Sequence, residues 1–369
     1  MTLLLLSFLT SFLINFWVVR YGHLHTHITA DNSLSGVQIF HSMIVPRVGG
    51  VGIFLATLLA LTATFFYDLQ SGALGLWLIF ASLPIFLAGL AEDTIKKTGV
   101  YIRFLAAMAS AGLASYILNT WLLGVQVPGV DALMLTYPIL SIAFTCFAVT
   151  GVINAFNIID GYNGLAAMVA AIILACIAYV GFLVRDYTVI VLALAIVGPI
   201  LGFLVWNYPR GLIFLGDCGA YFLGFWVAEL SLLLVSRHSQ VSKWFPLLLC
   251  FYPIFETLFT IYRRLIMRRI NPGLPDALHL HQMIHRRVVA RPLESINVDV
   301  KNKQNSLTSP YLWALCLIAA IPAVLFWQNH LLLKLFTLLF IFMYIWLYWS
   351  IVHFKVPKYL LDSIRVKCR

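Results

Sequence analysis

Long apolar runs separated by short polar segments make up most of the chain. Uninterrupted apolar runs of about 18 residues or more are typical of membrane-spanning helices. The sequence contains eleven such runs, at residues 2–19, 48–67, 72–91, 103–121, 135–153, 164–184, 187–206, 217–236, 244–262, 309–327 and 331–354. The pattern predicts an all-α, polytopic integral membrane protein with about eleven transmembrane helices, built as a single membrane domain over residues 1–369.

The composition supports this fold class. Hydrophobic residues make up 62% of the 369 residues, and charged residues only 10%. A soluble domain of this length could not cover so much apolar surface. The first run has no basic leader and no small-residue cleavage site, so we expect it to be a retained span rather than a signal peptide.

Positive charges are distributed unevenly between the two sides of the predicted membrane. Span parity places six segments on the side of the C-terminus, and they carry 20 of the 24 Lys and Arg residues: 20–47, 92–103, 154–163, 207–216, 263–308 and 355–369. Because cytoplasmic loops are the basic ones, we expect the C-terminus to be cytoplasmic and the N-terminus to be outside. The net charge of +10 then belongs to loops, and no nucleic-acid partner is expected because no nucleic-acid module is visible.

Five polar clusters interrupt the apolar pattern, and all five fall on the predicted cytoplasmic side. They lie at residues 31–50, 92–103, 154–163, 207–219 and 276–287. Polar residues that only solvate helix ends should occur on both faces of the membrane. The one-sided clustering therefore predicts one active site facing the cytoplasm, formed by the loops 20–47, 92–103, 154–163, 207–216 and 263–308.

The acidic residues of these clusters suit a bound cation. Glu92 and Asp93 are adjacent at the end of an apolar run, where two like charges are costly unless a cation neutralises them. Asp217 lies between glycines, which let a backbone approach a ligand closely. Asp160 belongs to a loop rich in Asn and Gly. Each has a simpler interpretation, as an exposed helix end, an N-cap or a polar turn.

Amides and basic side chains complete the set. Asn154 and Asn157 lie in an otherwise apolar stretch, where turn formation does not explain them. Three histidines precede an arginine pair: His279, His281 and His285. Their spacing does not match a zinc site, whereas histidines beside arginines fit phosphate binding. The alternative is a basic patch that touches anionic lipids.

This combination of side chains suits one class of chemistry. Carboxylates for a metal, basic groups for phosphates and amides for a base or sugar fit metal-assisted phosphoryl transfer from a soluble nucleotide to a lipid. Such transfer depends mainly on positioning and charge neutralisation. Mg²⁺ fits because it takes one or two carboxylates plus substrate phosphate oxygens. No P-loop or Rossmann glycine pattern competes with this interpretation.

The motifs resemble those of the polyprenyl-phosphate N-acetylhexosamine-1-phosphate transferases, glycosyltransferase family 4. Five motifs follow in family order between about Asp31 and Arg287: His41 with Val45-Pro-Arg-Val-Gly-Gly50, Glu92-Asp93, the loop 154–165, the segment 214–224 and His279-Leu-His281. The loop is similar to the family's Asn-Ala-x-Asn-x-x-Asp-Gly-x-x-Gly-Leu, and the segment to its Phe-x-Gly-Asp-x-Gly. Glu92 departs from the family's Asp-Asp pair, and Gln282 departs from the His-x-His-His of many O-antigen-type members.

The resemblance implies transfer of a sugar-1-phosphate of the N-acetylhexosamine type from a UDP-sugar to undecaprenyl phosphate, with release of UMP. It implies Mg²⁺ as the cofactor, with Mn²⁺ as an alternative. It also implies a multi-pass protein of the bacterial inner membrane that initiates O-antigen-like polysaccharide synthesis, within the lipopolysaccharide and cell-wall pathways. A homodimer is compatible with the family.

The resemblance also assigns roles to residues. Asp217 would bind the metal together with Asp93, and Asp93 with Glu92 would activate the lipid phosphate or act as a nucleophile. The amides and Asp160 would hold the uridine and the sugar, and the basic groups would hold phosphates. The residues expected to bind substrate are His41, Arg47, Lys96, Lys97, Arg103, Asn154, Asn157, Asp160, Asn163, His279, His281 and His285.

Two other classes of protein remain as alternatives. A secondary transporter would carry charges or helix breaks in the middle of its spans, and here Glu229 and Glu256 are the main interior acids. An inactive relative that serves as a scaffold or lipid sensor is left open by Glu92. The presence of Asp160 and Asp217 argues against that alternative.

Overall fold

The computed structural model describes residues 2–22, 45–267, 269, 278–289 and 298–353, with side chains from residue 304 onward in the last range. Within those ranges the chain is helical and has no β-strand. The α-helices are α1 (Thr2–Arg20), α2 (Gly49–Tyr67), α3 (Leu69–Ile95), α4 (Val100–Leu118), α5 (Val130–Thr136), α6 (Pro138–Ile159), α7 (Leu165–Leu183), α8 (Tyr187–Asn207), α9 (Gly216–Arg237), α10 (Trp244–Leu249), α11 (Phe251–Tyr262), α12 (Leu280–Ile284), α13 (Val298–Leu325) and α14 (His330–Val352). Two π-helical turns lie at Arg263–Met267 and His285–Val289.

Ten helices of the described ranges are long and apolar enough to cross a membrane. They are α1 to α4, α6 to α9, α13 and α14, and each matches one predicted apolar run. The prediction of an all-α, polytopic membrane protein is confirmed. The protein is therefore a multi-pass membrane protein.

The remaining run, residues 244–262, is divided into the two helices α10 and α11. The break lies at Cys250, whose backbone is not helical, and Pro253 beyond it has no N–H to continue the ladder. Both pieces nevertheless pack along α14. Lys334 Nζ of α14 lies 5.2 Å from the centre of the Trp244 ring. Three ring pairs, with centroids 4.8–5.6 Å apart, continue the contact: Phe251–Phe340, Phe255–Tyr344 and Phe259–Tyr348. The broken segment therefore lies beside α14 within the bundle, whereas the count of eleven spans and its parity remain predictions.

Helix α9 is the centre of the bundle. The apolar window of this helix is buried completely, and α2, α3, α6 and α7 pack around it. A helix that is apolar on all sides is stable only where other helices enclose it or lipid surrounds it. Because α9 begins at Gly216, its first turn places Asp217 among the ends of several neighbouring helices.

Helix α1 packs on α8 through small and polar side chains. Ser7, Ser11 and Asn15 are its buried residues, and Ser11 Oγ donates a hydrogen bond to the Pro199 carbonyl at 2.7 Å. A Cβ at Gly198 would lie 2.1 Å from Ser7 Oγ. Close approach at small residues, with a few hydrogen bonds, is how membrane helices associate in the absence of water.

The two ends of the bundle carry different chemistry. The polar segments 45–50, 92–103, 154–163, 207–219 and 278–289 gather at the end where α3 and α6 finish and α9 begins. At the opposite end Arg237 pairs with Asp186, and Lys334 Nζ donates to the Gln126 carbonyl. This separation agrees with the predicted one-sided clustering. Which end faces the cytoplasm remains a prediction.

Candidate active site

Asp217, in the first turn of α9, joins four elements. Its Oδ2 accepts a hydrogen bond from Arg103 Nη1 at 2.5 Å, and its Oδ1 accepts one from Asn157 Nδ2 at 3.0 Å. Arg47 Nη2 lies 3.7 Å from Oδ1. The Asp217 side chain keeps 13% exposure. A carboxylate between two guanidinium groups is therefore accessible to a ligand that carries both a cation and phosphates.

Asp93, near the end of α3, is 3% exposed, and both its oxygens are engaged. Oδ1 accepts the backbone N–H of Asp217, and Oδ2 accepts the backbone N–H of Cys218, each at 2.9 Å. The first N–H groups of a helix have no partner within the helix, so Asp93 caps α9 from a neighbouring helix. This geometry favours a role in positioning Asp217.

Two glycines allow this close contact. Gly216 has φ +75°, and a Cβ there would lie 2.1 Å from the Arg47 carbonyl oxygen and 2.7 Å from Asp93 Oδ2. A Cβ at Gly89 would lie 2.6 Å from the Cα of Cys218. The start of α9 therefore contacts α3 and residue 47 closely, because no side chain at Gly216 or Gly89 separates them.

Arg47 is positioned by its own backbone. Three hydrogen bonds of 2.9 Å join residues 46–50 to residues 214–215 just before α9. The segment runs alongside the start of α9, and this places the Arg47 guanidinium beside Asp217. His41, the other residue expected from the first motif, lies outside the described residues.

Glu92 lies in the last turn of α3, and Lys96 and Lys97 lie in the turn between α3 and α4. Glu92 Oε2 accepts the Thr98 N–H at 2.9 Å, which stabilises this turn. Lys96 ends α3 with φ 56°, and both lysines are exposed. The structure places them at the solvent edge of the site, with Asp93 facing inward. Their contact with phosphate remains a prediction.

The loop after α6 supplies further polar groups. Asn154 Nδ2 donates to the Thr150 carbonyl of its own helix at 2.8 Å. Asp160 ends α6 and is half-buried, and the described part of the chain offers no hydrogen-bond donor to its carboxylate. Burial raises the pKa of Asp160 to about 8, although Arg47 acts in the opposite direction. A half-buried carboxyl without a hydrogen-bond donor can receive a cation.

Asn163 connects the loop to α13. Its N–H donates to Asn305 Oδ1 at 2.9 Å, its carbonyl accepts Ser309 Oγ at 2.6 Å, and its Nδ2 donates to the Pro209 carbonyl at 3.2 Å. Asn163 is 2% exposed. The structure therefore gives this residue a supporting position, and its contact with substrate stays a prediction.

His279 and His281 meet the loop from the other side. Their rings are parallel, with centroids 5.1 Å apart. A Cβ at Gly161 would lie 3.0 Å from His281 Nε2, so this nitrogen faces the turn next to Asp160. The structure thus brings the histidine motif and the Asn-rich loop together.

Tyr162 is a residue of the site that the sequence did not single out. Its ring lies 5.6 Å from that of His281 and 5.1 Å from that of His285. It is 4% exposed. An aromatic residue inside a polar loop was the available signal, but only the fold shows that it lies between two histidines.

His285 differs from the other two histidines. Its Nδ1 lies 3.0 Å from Thr308 Oγ1, and burial lowers the pKa of His285 to about 4, with Arg286 contributing in the same direction. The imidazole is therefore neutral at pH 7. A neutral, buried imidazole is poorly suited to bind phosphate as a cation, the role expected from sequence.

The lowered pKa of His285 predicts an acid-sensitive fold. Between about pH 6.5 and pH 4 the unfolded chain takes up a proton that the folded protein does not, so stability falls on acidification and the loss reaches about 3 kcal/mol near pH 4. We expect the unfolding midpoint of His285→Gln to change less between pH 7.5 and pH 4.5 than that of the wild type. His330→Gln, at an exposed position, is the matched control. Equal pH dependence in all three proteins would contradict the prediction.

The acidic side chains of the site determine which kind of metal ion it could hold. Within the described ranges no group of three or more His, Cys, Asp or Glu side chains could hold a metal. Asp217 and Asp160 provide carboxylates on adjoining elements, and Asp160 has no donor there. Mg²⁺ takes few protein ligands and completes its shell with water and substrate phosphates. The residues present therefore fit Mg²⁺ better than a structural zinc ion.

Comparisons with known proteins agree with the motifs. Residues 75–235 match the family model described as glycosyl transferase family 4. The chain is 30% identical over 255 residues to a probable undecaprenyl-phosphate N-acetylglucosaminyl 1-phosphate transferase of Bacillus subtilis, covering 66% of each chain. It is 30% identical over 290 residues to a decaprenyl-phosphate N-acetylglucosaminephosphotransferase of Mycobacterium tuberculosis, covering 68% of this chain and 69% of the relative.

A more distant likeness extends to cell-wall enzymes. A phospho-N-acetylmuramoyl-pentapeptide-transferase of Clostridium beijerinckii is 30% identical over 198 residues, which cover 51% of this chain and 60% of the relative. The chain spans about two thirds of the length of the Bacillus relative. The family match includes α3, α6 and α9, which carry Asp93, Asn157 and Asp217. By this family match and these similarities, the chain belongs to glycosyl transferase family 4.

Proposed function

We propose that this protein transfers an N-acetylhexosamine-1-phosphate from a UDP-sugar to undecaprenyl phosphate, giving undecaprenyl-diphosphate-sugar and UMP. The observation that carries the proposal is Asp217, held between Arg103 and Arg47 at the end of a buried membrane helix. Such a site can receive a metal-bound diphosphate beside a lipid phosphate. The names of the Bacillus and Mycobacterium relatives specify N-acetylglucosamine. We therefore propose UDP-N-acetylglucosamine as the donor to test first.

The donor diphosphate would lie between the arginines and the histidine motif. Arg47 and Arg103 would bind phosphate oxygens in a bidentate manner, and His281 would contact the same group from the loop side. Asn154 and Asn157 lie on the last turns of α6, where their amides would hydrogen-bond the uridine or the sugar. Lys96 and Lys97 would attract the phosphate head of the lipid to this end of the bundle.

Asp217 and Asp160 would hold the metal, with Mg²⁺ preferred and Mn²⁺ as an alternative. When bound, the ion would neutralise charge on the donor diphosphate. Asp93 would then hold the backbone of Asp217 in place. This assignment moves Asp93 from the metal-ligand role expected from sequence to a supporting one, because both its oxygens already accept N–H groups.

The same contacts of Asp93 favour direct transfer. An oxygen of the lipid phosphate would attack the β-phosphorus of the UDP-sugar, the bond from that phosphorus to the bridging oxygen would break, and UMP would leave with that oxygen. A covalent intermediate on Asp93 would first have to release two backbone N–H groups. The protein would act by alignment and charge neutralisation, as is usual for phosphoryl transfer.

The cellular setting belongs to the proposal as well. The basic residues gather at the site end of the bundle, which supports a bacterial inner-membrane protein whose site faces the cytoplasm. The product would initiate a cell-surface polysaccharide of the O-antigen type. A homodimer remains a prediction from the family.

The proposed function is tested by measuring UMP release from purified full-length protein. The assay contains undecaprenyl phosphate, Mg²⁺ and one of several UDP-N-acetylhexosamines, with reactions lacking lipid and reactions containing EDTA as controls. We expect UMP only when lipid and metal are both present, and fastest with UDP-N-acetylglucosamine. Folded protein that releases no UMP from any donor would contradict the proposal.

A further inference from the structure

Glu256 is a fully enclosed carboxylate inside the broken membrane segment. It lies on α11 and is 1% exposed. Its Oε1 accepts the Leu280 N–H at 2.8 Å, and its Oε2 accepts the Tyr344 hydroxyl at 2.7 Å. Burial of a carboxylate within a membrane protein is costly unless its oxygens are paired. Here both are paired, and the acid therefore joins α11, α14 and the start of α12.

The residue that Glu256 faces is the first histidine of the motif. Its Oε1 lies 3.4 Å from His279 Nδ1, and Thr260 Oγ1, one helical turn further along α11, lies 3.1 Å from the same nitrogen. His279 is also the N-cap of α12, where its N–H donates to Gln282 Oε1 at 3.2 Å. The ring of His279 is thus held from α11, while its backbone N–H is held by Gln282 of α12.

A continuous set of contacts leads from Glu256 to the site. His279 stacks in parallel on His281, and His281 Nε2 faces Gly161, next to Asp160. Hydrogen bonds to buried groups hold side chains in defined orientations, and Glu256 contacts both the Leu280 N–H and the His279 ring. The His279 ring in turn forms the surface on which His281 stacks.

We propose that Glu256 is a positioning residue that fixes His279 and His281 so that His281 meets the diphosphate of the nucleotide-sugar donor. The identity of the ligand rests on the function proposed above, whereas the effect on the two histidines does not. Glu256 does not contact the reacting atoms. It acts through the backbone of Leu280 and the ring of His279.

A purely structural role is the competing explanation, because Glu256 also joins α11 to α14 through Tyr344. Two variants separate the explanations. Tyr344→Phe removes that contact and leaves the carboxylate beside the motif. Glu229→Gln changes a second buried carboxyl, 0% exposed on α9, whose oxygens have no hydrogen-bond partner among the described residues.

The first measurement reports on the histidines without any turnover. ¹⁵N-histidine spectra of the full-length protein are recorded in lipid nanodiscs for the wild type, Glu256→Gln, Tyr344→Phe and Glu229→Gln. His279→Gln and His281→Gln assign the signals. We expect the His279 and His281 signals to move in Glu256→Gln, with His238 and His330 unchanged, and to stay near wild type in the other two variants. Unmoved His279 and His281 signals in Glu256→Gln would overturn the proposal.

The second measurement uses the UMP assay. For Glu256→Gln we expect the KM for UDP-N-acetylglucosamine to rise about 10-fold, which corresponds to the loss of one hydrogen bond to a charged group. The KM for undecaprenyl phosphate and kcat should change little. A lower kcat with unchanged KM would indicate a smaller folded fraction and would overturn the proposal. If the wild type releases no UMP with any donor, the proposed function fails and the histidine spectra alone decide the role of Glu256.

Discussion

Replacing Asp217 with Asn is expected to lower kcat for UMP release about 1,000-fold, the largest effect of any conservative change in this protein. The carboxylate is the shared partner of Arg103, Arg47 and Asn157. Its amide analogue has nearly the same shape but no charge, and one of its two ends would be a donor facing other donors. A metal-bound diphosphate would lose its anchor, and two guanidinium groups would lose their counter-charge.

The control for this variant is another helix-start carboxylate. Asp68 is the N-cap of α3, at the end of α3 far from the site, and it accepts the Ser71 N–H at 3.2 Å. Asn caps helices about as well as Asp. Asp68→Asn should therefore retain activity and unfolding temperature. The measurement is UMP release per folded protein, with folding followed by thermal unfolding. If Asp217→Asn kept more than about a tenth of wild-type kcat, Asp217 could not be the centre of the site.

Gly216→Ala is expected to produce the largest loss of stability, at least about 3 kcal/mol, together with loss of activity. The added methyl group would meet the Arg47 carbonyl oxygen at 2.1 Å and Asp93 Oδ2 at 2.7 Å, and the φ of +75° is unfavourable for any residue with a Cβ. Relief of the clash would require the start of α9 to move. That movement would separate Asp217 from Arg47 and from its cap, Asp93.

Substitutions at two other glycines separate the backbone cost of a positive φ from the cost of the steric clash. Gly129 has φ +87° and no atom within 4 Å of a Cβ, so Gly129→Ala measures the backbone cost alone. Gly99 is open and has an ordinary φ of −61°, so Gly99→Ala should be close to neutral. Unfolding midpoints of the three variants are compared with wild type in the same detergent. Equal losses for Gly216→Ala and Gly129→Ala would show that close packing at residue 216 is unimportant.

Hydropathy predicted the spans because a membrane leaves few ways to satisfy backbone groups other than continuous helices. It did not predict the break at Cys250. Prolines are a weak signal in this setting, because Pro84 and Pro199 lie inside the unbroken helices α3 and α8. The division into α10 and α11 lies at the non-helical backbone of Cys250, which the pattern of apolar residues does not specify.

The candidate site was predictable as a list of residues but not as an arrangement. The sequence predicted one shared role for Glu92 and Asp93. The structure shows that their positions around α3 differ, so that Asp93 faces α9 whereas Glu92 stabilises the turn after α3. Asn163 shared the loop with Asn157 and was given the same role, although its contacts are with α13. Glu256 was visible as an acid within a span, but its partner Leu280 lies 24 residues away. Long-range contacts of this kind have no signature in a single sequence.

The packing of α1 on α8 has a consequence for the order in which the protein is made. Ser11 and the carbonyl that it binds, at Pro199, are 188 residues apart. At about 5–20 residues per second a ribosome needs on the order of 10–40 s to synthesise that distance. During this interval α1 has been made and the Pro199 carbonyl that Ser11 later contacts has not. Helix α1 therefore reaches its final packing only after α8 is made, and a fusion partner that restrains α1 would delay that packing.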